Sequence, residues 1–372
     1  MNPSACKQQP SGLYLPLRAT LKGRLRWQVL DERGVPEVPR NPSGFAIGPA
    51  EGIEQPNLIT DLGLDQIAAY NAFDTNPTSS STWRRYLAVG TGSTAPAAGD
   101  TILASEVQRA ASSGTFGDGS VTYELDTANN VWRATIVVNR VVTMTADRNL
   151  TEFGFSPASS VAIGIRELLR DASDNPITVS LLTDKSLLVE HTLTIEIPAP
   201  AAGNAATINI EEYDAANNLV NTIAQDIIHG GFYHSGFAGG VSLPNSPFAI
   251  WAPHSAKLGT TSSDGASNPT ATVGIVPFAS AVAYARSVSN TISNVQSLAT
   301  ETYVSGSYQR IKRATFAAGE ANGALYGIAT AAARFAASRY SGWMLVFDSP
   351  ATYTKQSTDT LRAGFISSWD RA

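Results

Sequence analysis

The sequence predicts a mainly β protein, built as two related β-sandwich-like domains with a few short helices. Three observations lead there. Alternation of apolar and polar residues recurs, most clearly over 187–197. There Leu187, Val189, Leu193, Ile195 and Ile197 face one way, while Glu190, Thr192, Thr194 and Glu196 face the other. Charged residues are only 15% of the 372, and Ser, Thr, Asn, Ala and Gly fill the gap, as suits strand-rich surfaces and surfaces buried in assemblies. Part of the chain also recurs: Asn218-Leu219-Val220 to Asp226-Ile227-Ile228 matches Asn57-Leu58-Ile59 to Asp65-Gln66-Ile67 at one fixed offset, the mark of a module used twice.

Along the chain, residues 1–19 read as an arm, 20–200 as a first β-domain and 206–372 as a second, with a divergent loop region at 230–300. Leu25, Trp27 and Val29 alternate with Arg24, Arg26 and Gln28, a half-buried strand that ends in the turn Asp31-Glu32-Arg33-Gly34. The prolines and glycines of 35–56 indicate a long loop. Thr60 or Asp61 caps a short helix whose Leu64, Ile67 and Ala68 share one face. A Ser/Thr/Pro loop follows at 74–82, then a strand from Tyr86 to Val89 that ends at Gly90-Thr91-Gly92. Val131 to Met144 is rich in β-branched residues and reads as a strand.

Pro198 to Gly203 breaks the 187–197 strand and marks the domain boundary. Beyond it, Ile208, Ile210 and the turn Asp214 to Asn218 echo the strand and turn at 24–34, and 218–228 echoes the helix at 57–67. Ala285, Val288, Ile292, Val295 and Ala299 step by three and four, as a helical seam does. Val288, Ile292 and Val295 are the candidate subunit contact on it, against the alternative of a solvated helix on its own domain. A closing strand holds Leu361, Ala363, Phe365 and Trp369.

The chain offers little recognisable chemistry. Net charge is −5 and no Lys/Arg run tracks a phosphate backbone, which argues against nucleic acid; Arg310, Lys312 and Arg313 read as a solvated strand face. One cysteine, Cys6, excludes an intrachain disulfide and fits a reducing cytoplasm. The N-terminus shows no signal-peptide pattern, and no apolar stretch is long enough for a membrane span. Gly90 and Gly92 lack the third glycine of a dinucleotide fingerprint and the Gly-Lys-Ser/Thr of a phosphate loop, so they read as a turn.

His191 sits on the apolar face of its strand as a satisfied core residue, and His229, His234 and His254 match no zinc spacing. No nucleophile elbow occurs, and Glu152, Glu167 and Glu190 lie on separate elements. Phe232, Tyr233, Phe237, Phe248 and Trp251 crowd a glycine- and proline-rich region. They either close the second domain's core or, on exposed loops, stack on sugar or anchor an interface. No enzyme, cofactor or metal is expected.

One further signal lies in the stretches Asn57-Leu58-Ile59-Thr60-Asp61-Leu62-Gly63-Leu64, Tyr86-Leu87-Ala88-Val89-Gly90-Thr91-Gly92-Ser93-Thr94-Ala95-Pro96, Glu106-Val107-Gln108-Arg109 and Leu150-Thr151-Glu152-Phe153-Gly154-Phe155. Together with Gly23 to Trp27 and the segments Tyr303 to Arg310, Phe316 to Gly323 and Trp369 to Arg371, they resemble a module in structural proteins of tailed bacteriophages. It occurs in tail-fibre, baseplate and related appendage proteins. The resemblance implies a virion tail component of β-sandwich build, without cofactor, assembled in the host cytoplasm. It implies docking to other tail proteins and to itself as a trimer or hexamer, in the neck, baseplate or fibre-attachment region. The alternative is a receptor-binding appendage that touches host surface glycan through the aromatic loops. Residues 230–300 depart from the pattern.

Overall fold

The computed structural model describes residues 12–126, 128–129, 131–160, 162–198, 206–213, 219–227, 233–234, 251, 272–275, 293–297, 299–316, 323–325, 327–331, 333–335, 339–342, 344–346, 353–355 and 361–372. They are mainly β. The first strands are β1 (Gly12–Leu30), β2 (Pro36–Glu37), β3 (Ile53–Pro56) and β4 (Leu58–Ile59), followed by the helix α1 (Asp61–Ile67). Then come β5 (Tyr86–Gly90), β6 (Glu106–Ala110), β7 (Gly119–Asp126), β8 (Val131–Thr143), β9 (Arg148–Leu150) and β10 (Glu152–Ser156). The series continues with β11 (Ile165–Leu168), β12 (Val179–Leu181), β13 (Ser186–Pro198), β14 (Ala206–Tyr213) and β15 (Leu219–Ile227).

The chain divides into two compact units that are not contiguous in sequence. The first comprises Thr20–Thr122, Ala134–Ile195 and Asp370–Ala372; the second comprises Met1–Ala19, Tyr123–Arg133 and Glu196–Trp369. A single cut near residue 200 does not reproduce this division, because β1, β7, β8 and β13 are long enough to contribute residues to both units.

In the first unit the parts of the long strands follow the order β1-β13-β8-β7, and a five-stranded sheet follows the order β4-β11-β10-β5-β6. Of the first, the strands at 24–29, 131–144 and 187–197 were legible; of the second, only Tyr86 to Val89 was. Trp27, Leu187, Val189, Leu193 and Ile195 are all but fully buried on the inward faces of β1 and β13. Alternation at period two places them there, and burial of the apolar face drives the pairing. The two sheets meet at Phe155 of β10 and His191 of β13, whose ring centroids are 5.5 Å apart.

Helix α1 forms where its cap was expected. The Thr60 side chain accepts a hydrogen bond from the Gly63 amide at 3.0 Å, and Leu64, Ile67 and Ala68 are buried on one face. Thr60→Ala should cost about 1 kcal/mol or somewhat more, since a buried cap is lost; urea denaturation of the variant measures it. Gly63 lies so close to the Gly164 carbonyl that an added Cβ would stand 1.9 Å from its oxygen. Backbone cannot yield as a side-chain tip can, so Gly63→Ala should destabilise the unit by about 1–3 kcal/mol, readable as a lower thermal midpoint.

Three turns in this unit share one construction that the sequence did not announce. The side chains of Asp31, Asn41 and Asp171 each accept from the backbone amides two and four residues on. The fourth residue of each turn has positive φ: Gly34 at 77°, Gly44 at 81° and Asp174 at 65°. In the second and third turns the preceding arginine, Arg40 or Arg170, also donates to the carbonyl of that fourth residue, at 2.8 and 2.9 Å. A hydrogen bond from the Ser180 amide to the Arg40 carbonyl, at 2.8 Å, ties the segment after the third turn to the start of the second. The segment 35–56, expected as loop, therefore holds two short strands and a built hairpin.

In the second unit β14 and β15 form an antiparallel hairpin, and β14 pairs with Gly12–Tyr14 of β1. Residues 12–19, expected as an arm, are thus strand from Gly12 onward. The echo of α1 at 218–228 is overturned: Leu219–Ile227 is a strand, not a helix. Val220, Thr222, Ile223 and Ile227 favour extended backbone, and a full-length partner strand lies alongside. The remaining strands are β16 (Tyr233–His234), β17 (Thr272–Ile275), β18 (Ser293–Ser297), β19 (Ala299–Thr300), β20 (Gln309–Phe316), β21 (Gly323–Leu325), β22 (Gly327–Ala331), β23 (Ala333–Phe335), β24 (Arg339–Gly342), β25 (Met344–Val346), β26 (Tyr353–Lys355) and β27 (Leu361–Arg371).

The helical seam over 285–299 is also corrected at its C-terminal end. Val295 lies in β18 and Ala299 in β19, because Ser293 and the residues around it are poor helix formers and β17 and β20 supply partners. Val288 and Ile292 lie outside the described residues. The closing strand at 361–371 is present and pairs with β20 over eight residue pairs, from Leu361 with Phe316 to Ser368 with Gln309.

Candidate functional site

The stretches Tyr86 to Pro96, Ala104 to Ser105 and Leu150 to Phe155 converge on one side chain, Glu152. It is fully buried at the start of β10. Its Oε1 accepts from the amides of Gly92 at 3.0 Å and Ser105 at 2.7 Å; its Oε2 accepts from the Ala104 amide at 3.0 Å. Arg166 of β11, 2% exposed, donates to the same Oε2 from Nε at 3.0 Å and from an Nη at 2.8 Å. The other Nη pairs with Asp100, and Arg166 also donates to the Thr94 carbonyl at 2.8 Å. Burial opposes the charge on Arg166, yet Asp100 and Glu152 hold it above its ordinary value. Asp100 is also partly buried, but the Ala97 amide and Arg166 hold it below the usual carboxylate range.

This geometry explains the glycines. A Cβ on Gly92 would lie 2.4 Å from Glu152 Oε1 and 2.5 Å from the Ala104 Cβ. The turn is therefore an anion cradle, but the anion is the protein's own carboxylate. A buried charge survives only when paired and hydrogen-bonded, and here each carboxylate oxygen is.

Around this centre the module closes on itself. Arg109 of β6 grips Glu106 with two bonds, at 2.8 and 2.7 Å, and reaches Ser156 and the Ala158 carbonyl, both at 2.9 Å. Gln66 of α1 donates to the Ala162 carbonyl and accepts from Trp83. Arg371 pairs with Asp61 and donates to the Ile59 carbonyl at 2.5 Å.

A second cluster in the first unit holds the loop 71–85 from beneath. Arg84 and Arg140 are both fully buried. Arg84 donates to the carbonyls of Ala72 at 2.8 Å and Ile136 at 3.3 Å, and to Nδ1 of His191 at 2.7 Å. Arg140 donates to the carbonyls of Arg85 at 2.9 Å and Thr75 at 2.8 Å, and Arg85 to that of Pro77 at 3.0 Å. Burial, with Arg140 adding like charge, pulls Arg84 down to about 9; burial pulls Arg140 down to about 10 against the opposing Asp118 and Asp74. His191 is the core residue the alternation placed, with its ring held neutral by burial and by Arg84. It is not fully satisfied, since Nε2 has no partner among the described residues.

The second unit places the other predicted residues. Trp251 is fully buried, donates to the Ser368 carbonyl at 2.9 Å and meets Trp369 edge to face at 6.3 Å. Trp369 stacks on Tyr303, which carries Arg310 over its ring. Of the two readings of the aromatic group, Trp251 takes the core one and presents no ring face to a ligand. Tyr233 lies in β16, paired with Gly342. Phe232, Phe237 and Phe248 lie outside the described residues, as do His229 and His254.

The basic strand is corrected. Lys312 is 1% exposed rather than solvated, and burial together with Arg310 pulls its amine down to about 7. Arg313, on the opposite face of β20, pairs with Glu301 at 2.8 Å. Strand alternation separates the two, and β20 lies between β19 and β27 within its sheet.

The carboxylates weighed as an acid–base couple do not converge on an open site. Glu152 is committed to Arg166, and Glu167 accepts from Arg170 at 3.2 Å, with burial raising its pKa. Among the described residues no group of three or more His, Cys, Asp or Glu is placed to hold a metal ion, and no helix is long and apolar enough to cross a membrane. Comparisons with protein-family models, with curated proteins and with solved structures found no match to this chain.

Proposed function

We propose that the chain is a structural protein of a bacteriophage tail, in its neck, baseplate or fibre-attachment region. It acts by docking to other tail proteins and to copies of itself, as a trimer or hexamer, and not by catalysis. One observation carries the reading. The family-like stretches at 57–64, 86–96, 106–109 and 150–155 meet around α1 and Glu152, where charged groups are spent on internal bonds. Motifs used in this way hold a shape, and a rigid scaffold is what a repeated position in a symmetric particle requires. Weak surface charge supports the same reading, since such surfaces bury well between neighbours. On this reading the segments 20–200 and 206–372 derive from one duplicated β-sandwich-like module.

Mass spectrometry of purified particles tests the proposal. The chain should be present at a fixed ratio to the major tail protein. Its absence from intact particles sinks the reading.

A further inference from the structure

We propose that Arg84 and His191 form an acid-sensitive latch: protonation of the His191 ring expels the Arg84 guanidinium and frees the loop 71–85 that it anchors. The inference stands on the first unit alone and does not depend on the tail reading.

The hydrogen-bond inventory dictates the chemistry. A guanidinium has donors only, so at 2.7 Å Nδ1 of His191 must be the acceptor, and the ring proton sits on Nε2. A second proton turns Nδ1 into a donor facing a donor. The same event removes an acceptor from Arg84 and sets two cations side by side where neither side chain is exposed to water.

Among the described residues no carboxylate is placed to absorb that charge. On β13 the ring's neighbours along the inward face are Val189 and Leu193. Strand β10 presents the Phe155 ring, and its one acid, Glu152, is committed to Arg166. Strand β8 offers the Ile136 carbonyl and a further cation, Arg140. Asp74 and Asp118 bear on Arg140, while among the described residues the charge that bears on His191 is that of Arg84.

Relief comes most readily from movement of Arg84, because His191 is fixed in a central strand. Arg84, near the end of the loop 71–85, binds the carbonyl of Ala72 at the loop's start, so its departure removes the side-chain tie across the loop's base and leaves the backbone bonds that join Asn71 to Ser81 and Trp83. The carbonyls of Thr75 and Pro77 are then held only by Arg140 and Arg85. The five-stranded sheet keeps its own ladders, so opening is local.

Hydrogen–deuterium exchange on the full chain between pH 5 and 7.5, corrected for intrinsic rates, tests the latch. Peptides spanning 71–85 should open progressively more as pH falls, by at most about tenfold per pH unit, while peptides spanning β10 and β11 do not. His191→Gln keeps an acceptor for Arg84 without titrating, and should abolish the acid response. Wild-type exchange that is independent of pH, or an unchanged response in His191→Gln, overturns the proposal. Should that variant not fold, Arg84→Gln serves instead: it removes the opposing cation, and an acid response as steep as the wild type's is equally fatal.

Discussion

Replacing Glu152 with alanine is expected to remove about 3–5 kcal/mol from the stability of the first unit, because it strands a buried charge. Arg166 is 2% exposed and would keep only Asp100 and the Thr94 carbonyl. The amides of Gly92, Ala104 and Ser105 would lose their acceptor at the same time. Against a typical total of about 5–15 kcal/mol, that loss is enough to populate the unfolded state. Urea denaturation followed by fluorescence of the buried Trp27 and Trp83 reads it directly. The double variant Glu152→Ala with Arg166→Met should recover part of the loss, since the orphaned cation is then gone. A double variant as unstable as the single would show that the amides, not the ion pair, dominate the centre.

Lys312→Met is expected to act in the opposite sense and stabilise the second unit by about 1–4 kcal/mol near neutral pH, since an apolar chain of similar length replaces a buried amine. The dependence on pH identifies the cause. In the folded chain the amine titrates at about 7, against its ordinary 10.5. Below pH 7 it is charged in both states and the full cost of burying the charge falls on the fold. Between about 7 and 10.5 the unfolded chain binds the extra proton, so wild-type stability rises with pH across that window. Above it the amine is neutral in both states and the penalty is gone. The advantage of the methionine variant should therefore be largest at pH 6–7 and shrink steadily toward pH 10. A constant difference between the two chains across that range would rule out the buried amine as its source.

What could be read along the chain was what neighbours in sequence decide. The alternation at 24–29 and 187–197, the Thr60 cap and the turn at Asp31 to Gly34 all appear where local periodicity and turn chemistry put them. Those signals act over two to four residues, the range of one turn or one pleat. Ambiguity began where a segment was short. Asn218 to Ile228 resembles 57–67 residue for residue in places, yet Leu219–Ile227 folds as strand and Asp61–Ile67 as helix. Both conformations suit a short apolar run, and the partner β14 decides between them.

The Glu152 centre was not legible along the chain. Two charged residues, Arg166 and Glu167, stand among the apolar Ile165, Leu168 and Leu169, a pattern that does not say with what either would pair. The acceptor of Arg166 and the three amides lie many residues away in the chain, and only folding brings them within 3 Å. Lys312 failed as a solvated residue for the same reason. Alternation set it on the opposite face from Arg313, but which face is buried is decided by what packs on it from elsewhere in the chain.

The sequence by itself determined a mainly β class, the strands at 24–29, 131–144 and 187–197 and the helix capped by Thr60. Period, propensity and turn residues are properties of adjacent positions, and they survive without the rest of the molecule. The tertiary structure alone decided which charges are buried, which are paired and what the glycine turn cradles. Electrostatic partners are chosen by distance in space, and no local pattern encodes it.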